Sequence, residues 1–323
     1  MKAIVYHDYG SADVLKVEEA EEPTPKDDEV LIKVRAASVN PLDWRLMKGK
    51  PYFIRMTSRL LKMKTGRPGV DVAGEVQAVG RNVTQFKTGD AIFGSCRGAF
   101  ADYAGAPESD LALKPDDMSF EQAASVNVAA MTALQALRNK GQIGPGHKVL
   151  INGAAGGVGT FAVQIAKEFG AEVTGVCSTR NLDLVRSIGA DHVIDYTKDD
   201  FTKGTERYDL IFEGVGNLSF SACRRVLKRA GKFIMVGAPH SSSMIGIMGP
   251  AIKAVVLSLF VSEKAMMFLA SPNQQDLAIM SEWISSGKVT PVIDRCYKLS
   301  EVPEAVRYLE QGHARGKVVI SLT

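Results

Sequence analysis

The chain has 323 residues, 46% of them apolar and 23% charged, and a formal net charge of +3. Length and composition fit a globular protein with room for two cores, and the small charge argues against nucleic acid because no basic run alternates with aromatics. Cys96, Cys177, Cys223 and Cys296 lie far apart with no CxxC pair, which reads as free thiols in a reducing compartment.

The chain opens directly in strand-like sequence, Met1-Lys-Ala-Ile-Val-Tyr6, without a charged head and apolar signal core. Secretion is not expected, and the location is read as cytoplasmic. In residues 29–36, Val30, Ile32, Val34 and Ala36 share one face, the alternation of a half-buried strand. Residues 71–79 repeat that pattern before a turn at Gly80, and Gly89-Asp90 precedes a short strand at 91–93. Short strands with Gly/Asp/Pro punctuation predict a barrel-like β domain.

The pattern changes after Pro115. Ser119 and Gln122 form a capping box that opens a helix, and a second helix is expected at 129–137. From Lys148 strands at 149–151, 172–177, 192–194, 209–212 and 232–236 alternate with helices, including 182–188, closed by Gly189, and 219–227. Repeated β-α-β units predict a parallel, doubly wound sheet with ligand across the carboxyl ends of its strands. Residues 244–270 are apolar, but Pro250, Lys253, Glu263 and Lys264 interrupt them. They predict buried strand and helix, or an oligomer surface, rather than a membrane span. In the tail, a helix at 276–285 precedes strands at 291–299 and 317–322 around a helix at 302–309, strands that can return to the N-terminal β domain.

The most informative stretch is Asn152-Gly-Ala-Ala-Gly-Gly-Val-Gly159, which carries a strand through a glycine turn into a helix. Amides at such a helix start, here over Ala155, Gly156, Gly157 and Val158, suit a pyrophosphate. An NAD site needs an acid at the end of the second strand, whereas this chain has Cys177-Ser-Thr-Arg180. The Ser178 hydroxyl and the Arg180 guanidinium suit a 2′-phosphate, with Tyr196 adding its hydroxyl, so NADPH is the expected cofactor. Arg180 on a solvated helix start is the plain alternative. Gly216 and Gly237 end strands at the cleft edge, where backbone must approach a cofactor, or else are ordinary turn glycines.

Asn40-Pro-Leu-Asp43, Gly69-Val-Asp-Val-Ala-Gly74, Gly89-Asp90, the glycine turn, Gly189-Ala-Asp191 and Gly312-His-Ala-Arg-Gly-Lys317 occur in one order. Together they resemble the zinc-free quinone oxidoreductase branch of the medium-chain dehydrogenase/reductase superfamily, in its chloroplast-envelope and reticulon-interacting forms. The resemblance implies an α/β protein: a Rossmann domain at 123–288, plus a GroES-like β-barrel catalytic domain at 1–122 and 289–323. It also implies NADPH between them and a homodimer joined through the Rossmann sheets. Ala154 replaces the first glycine of GxGxxG, as is common in that branch.

Zinc is not expected. The first-ligand cysteine of the zinc branch is replaced by the Asn40 context and its Gly-His-Glu by Gly69-Val70-Asp71, and the five histidines are scattered. Without a Lewis acid, hydride addition to an electrophilic quinone or enone is easier than alcohol oxidation. By the resemblance, Asn40 orients the nicotinamide or a substrate oxygen, or it caps the turn before Pro41. Thr132 meets the nicotinamide half of the cofactor, or is simply a tolerated mid-helix threonine. Tyr52 binds the substrate carbonyl or donates a proton, or only packs its loop; Trp44 and Arg45 are weaker candidates. Quinone or enone reduction is the expected activity. The alternatives are an enoyl-thioester reductase and an NADPH-binding protein with a structural or regulatory role.

Overall fold

In the computed structural model, which describes residues 1–49, 66–237 and 244–322, the strands run in chain order as follows. They are β1 (Lys2–Val5), β2 (Lys16–Glu19), β3 (Glu29–Val39), β4 (Asp71–Val79), β5 (Ala91–Ser95), β6 (Tyr103–Pro107), β7 (Leu111–Leu113) and β8 (Lys148–Asn152). There follow β9 (Glu172–Cys177), β10 (His192–Asp195), β11 (Tyr208–Glu213), β12 (Leu227–Met235), β13 (Lys264–Met267), β14 (Ile293–Lys298) and β15 (Lys317–Ser321). The chain divides into two units, one of Met1–Met131, Pro272–Gly287 and Pro291–Thr323, the other of Thr132–Ser271 and Lys288–Thr290.

The first unit holds a seven-stranded sheet, ordered β14-β15-β3-β4-β5-β7 with β6 also on β3, and the ribbon β1-β2. The alternating run of β3 buries Val30, Ile32, Val34 and Ala36, and its last residues are buried on both faces. Those residues lie between β15 and β4, both antiparallel to β3. The tail strands therefore do join the N-terminal sheet. Ile32, Val34, Val72, Ile92, Phe100, Val318 and Ile320 belong to one core cluster, and each such side chain contributes about 1.5–3 kcal/mol by leaving water.

The second unit is built on a six-stranded sheet, β10-β9-β8-β11-β12-β13, every pair of it parallel. Its strands read as near-continuous apolar runs because helices cover both faces of such a sheet. The apolar stretch after residue 243 resolves into the helix Met244–Ser258 and the edge strand β13. No helix among the described residues is long and apolar enough to cross a membrane.

Three elements differ from expectation. The segment after Asn40, where the sequence marks only a turn before Pro41, is a helix, Pro41–Lys48, because Pro41 suits a first helical turn and Asp43 caps it. The helix predicted at 219–227 is α-helical over Phe220–Cys223 and tightens to a 3-10 turn over Arg224–Val226, and Leu227 is already paired with Tyr208 in a longer, bulged β12. The division between units falls at 131/132, and residues 272–287 belong to the first unit, where the sequence reading set limits of 123 and 288. Side-chain hydrogen bonds explain the second shift: Gln274 Nε2 donates to Gln85 Oε1 at 2.6 Å and Ser285 Oγ to Asp117 Oδ1 at 3.2 Å. Apolar periodicity is blind to such bonds.

Candidate functional site

In the second unit the strand ends carry the glycine turn. Gly153 has φ +81, and Gly156 N donates to Gly153 O at 3.0 Å. A Cβ on Gly159 would lie 2.0 Å from Gly153 O, so backbone packs on backbone there and no side chain fits. Gly156 is the extended N-cap of the helix Gly157–Glu168, and the first helical bond runs from Thr160 N to Gly156 O. The Gly157, Val158 and Gly159 amides therefore have no carbonyl acceptor inside the helix. With the positive end of the helix dipole, they form a cradle for an anion.

Neighbouring strand ends complete this edge. Glu213, ending β11, is buried, and that burial pushes its carboxyl above the usual range. It accepts from Val215 N at 2.9 Å, Gly216 N at 2.6 Å and Asn152 Nδ2 at 3.0 Å. A single carboxylate thus ties the end of β8 to the turn after β11 and holds Gly216 at φ +85. Gly237, past β12, is another close approach, since a Cβ there would lie 2.4 Å from Gly214 O. Ala155, Gly156, Gly157, Val158, Gly216 and Gly237 accordingly share the carboxyl edge of one parallel sheet.

Ser178 and Arg180 follow β9, and Tyr196 follows β10 on the same edge. Ser178 is half-buried, whereas Arg180 and Tyr196 are exposed. Sequence reasoning missed a carboxylate here: Asp195 ends β10 beside Cys177, and its Oδ2 accepts from Thr179 Oγ1. It was hidden because it comes from the next strand rather than from the loop after the second. Thr132 sits half-buried in the helix Asn127–Gln135.

The first unit holds a buried polar cluster that the sequence only partly signalled. Asp71, first residue of β4, is 0% exposed and Lys317, first of β15, only 3%. Asp71 Oδ2 accepts from Ser38 Oγ at 2.6 Å, Asn40 Nδ2 at 2.9 Å and Lys317 Nζ at 3.1 Å. Its Oδ1 accepts from Asn127 Nδ2 at 3.1 Å and Val128 N at 2.9 Å. Asn40 is 2% exposed, and its Oδ1 accepts from Lys317 Nζ at 2.6 Å. Both ends of its amide are therefore held by the ion pair.

Asp43 stands below this cluster, taking Asn40 N on Oδ2 at 2.7 Å and Gly69 N on Oδ1 at 3.1 Å. Burial, with the Asp71 charge adding to it, pushes its carboxyl up to about 7. Lys317 could have been noticed as the lone charge opening an otherwise apolar strand, and Asp71 as a charge opening the apolar run Val72-Ala-Gly74. Trp44 is flanked by Arg45 and Lys48, each 5.2 Å from its ring centre. Tyr52 lies outside the described residues. No group of three or more His, Cys, Asp or Glu among the described residues is placed to hold a metal ion.

Two family models match: the alcohol dehydrogenase GroES-like domain over residues 26–116 and the zinc-binding dehydrogenase domain over 188–320. The chain is 37% identical to a 2-methylene-furan-3-one reductase of Solanum lycopersicum, over 99% of this chain and 79% of that protein. It is equally similar, with the same coverage of each, to the chloroplastic NADPH-dependent alkenal/one oxidoreductase of Arabidopsis thaliana. Among solved structures, the quinone oxidoreductase from Coxiella burnetii superposes with a TM-score of 0.90 at 31% identity, covering 100% of this chain and 99% of that one. The architecture is that of a Rossmann domain plus a GroES-like domain, and the chain belongs to the quinone oxidoreductase branch of the medium-chain dehydrogenase/reductase superfamily.

Proposed function

We propose that this protein is an NADPH-dependent, zinc-independent oxidoreductase that reduces quinones or the activated C=C bond of α,β-unsaturated carbonyls. The observation that carries the reading is the glycine cradle at the end of β8, where Gly159 meets backbone so closely that any Cβ would fill the space. Its residues fit a dinucleotide: amides of Gly157 and Val158 for the pyrophosphate, Ser178, Arg180 and Tyr196 for a 2′-phosphate, and Gly216, Gly237 and Thr132 toward the nicotinamide half. When bound, NADPH supplies a hydride to the quinone or to the β-carbon of the enone.

The protein's own task is alignment, exclusion of water and delivery of one proton to the reduced acceptor. We assign Asn40 to the reacting end of the site as a positioning residue, its amide fixed by Asp71 and Lys317. Tyr52 is the proposed proton donor. The residues at 40 and 71 do not fit zinc, because Asp71 and Asn40 already accept from an internal ammonium, that of Lys317. We also propose a homodimer formed through the edge strand β13, beside which Phe260 is 80% and Leu269 92% exposed. The four free cysteines suit a cytoplasmic, reducing setting.

Mixing the NADPH-loaded protein with enones, alkenals and quinones tests the activity. Cofactor oxidation by any of them supports the reading. Silence toward all, or turnover only with crotonyl-CoA, replaces it with a binding protein or an enoyl-thioester reductase.

A further inference from the structure

The proposed 2′-phosphate site contains a carboxylate, and a carboxylate there would favour the two hydroxyls of an unphosphorylated ribose. Asp195 ends β10 directly beside Cys177, the last residue of β9, so it stands next to the loop that carries Ser178 and Arg180. The structure shows how its oxygens are occupied. Oδ2 accepts from Thr179 Oγ1 and lies 3.7 Å from Lys198 Nζ. Oδ1 accepts from Thr197 N at 3.0 Å and from Thr197 Oγ1 at 2.7 Å. The two threonine oxygens also lie 3.1 Å apart, but each has one hydrogen and the carboxylate is the stronger and nearer acceptor for both, so both are directed at Asp195. The Thr179 hydroxyl above all holds the carboxyl below its usual range, which keeps it ionised.

Ser178 is set the other way. Asn181 is buried, and its Nδ2 donates to Ser178 Oγ at 3.3 Å. The Ser178 hydroxyl therefore accepts from inside the fold and keeps its own hydrogen for an acceptor outside it. The loop thus presents one hydroxyl as a donor while two others cover the negative charge beside it. An anionic ligand group gains most from that polarity, because a charged acceptor makes the stronger bond with the free donor.

Resting on the NADPH reading above, we infer that Thr179 and Thr197 are selectivity residues, which keep the Asp195 carboxylate from competing for the adenosine ribose. With both hydroxyls removed, Asp195 would repel a 2′-phosphate and accept from free ribose hydroxyls. Both threonines are exposed, so Thr179→Val and Thr197→Val together leave the core intact.

Calorimetric titration with 2′,5′-ADP and with 5′-AMP reads the adenosine half without turnover. The native protein should prefer 2′,5′-ADP. The double variant should lose at least about tenfold of that preference, the scale of one charge-assisted hydrogen bond gained or lost. Asp195→Asn added to the double variant should restore it, because the charge is then gone. An unchanged preference in the double variant, or loss of both fragments alike, would overturn the inference while leaving the NADPH reading standing. A native protein without preference for 2′,5′-ADP would instead remove the NADPH reading itself.

Discussion

Replacing Lys317 with methionine tests the polar cluster of the first unit most directly. Lys317 and Asp71 are almost fully buried, and removing one partner of such a pair costs about 3–5 kcal/mol because the other charge stays behind. The structure refines that figure. Without Lys317, Asp71 keeps Ser38, Asn40, Asn127 and the Val128 amide as donors. In Asp71→Asn, by contrast, the Lys317 ammonium loses its counter-charge and faces only neutral amide oxygens, those of Asn40 and of the new asparagine. Lys317→Met should therefore fall at the low end, about 3 kcal/mol, and Asp71→Asn at or above the high end. The double variant leaves no buried charge in the pair, and should be more stable than the sum of the singles by about 2 kcal/mol or more. Urea unfolding followed by tryptophan fluorescence isolates the effect, because Trp44 and Trp283 both belong to the first unit. A loss below about 1 kcal/mol for Lys317→Met, the range of exposed pairs, would refute the reasoning, as would strict additivity in the double variant.

Gly159→Ala should weaken NADPH binding at least about tenfold, because the new Cβ would strike the Gly153 carbonyl and open the cradle. Quenching of protein fluorescence by NADPH measures it, and native affinity would count against the cradle. Asp43 binds its proton up to about 7 in the folded state but only to 3.8 as a free carboxyl, so the folded state holds more protons in that window. Its contribution to stability is then greatest at the acid end and falls as pH rises from about 4 to 7, by up to about 4 kcal/mol. The stability difference between native protein and Asp43→Asn should accordingly shrink with rising pH; a difference that grows would contradict the sign. Burial pushes Cys177 up to about 11 and Cys223 up to about 12, and it raises buried Cys96 as well, whereas Cys296 is exposed. Brief alkylation of the native protein should add one adduct, at Cys296, by intact mass and peptide mapping; rapid labelling of a second thiol would show an opening not described by this fold. Phe260→Glu should shift the light-scattering mass from two chains to one, and an unshifted dimer would place the interface elsewhere.

What was legible in the sequence was whatever apolar periodicity and glycine chemistry dictate. The alternation at 30–36 became β3, the β-α-β series became a fully parallel sheet, and the turn at 153–159 holds glycines where backbone meets backbone. The illegible parts have a common cause. Asp43, Asp71 and Lys317 are polar residues whose burial is offset in large part by partners far away in the chain, from Gly69 N on Asp43, 26 positions off, to Asn40 Oδ1 on Lys317, 277 positions off. A window along the sequence sees only a charge beside a strand. The same blindness set the division at 288, whereas residues 272–287 group with the first unit, in which Gln274 and Ser285 find their partners at Gln85 and Asp117. It also hid Asp195, which reaches the adenosine loop across a strand pair rather than along the chain. Such groups cost several kcal/mol when unpaired, so each must have been matched by a specific distant residue. That requirement turns the failure into a rule of reading: in a chain otherwise well patterned, a charge that opens an apolar strand marks a partner still to be found. In this protein, following that rule from Lys317 leads to Asp71 and Asn40, where the reactive end of the site is proposed.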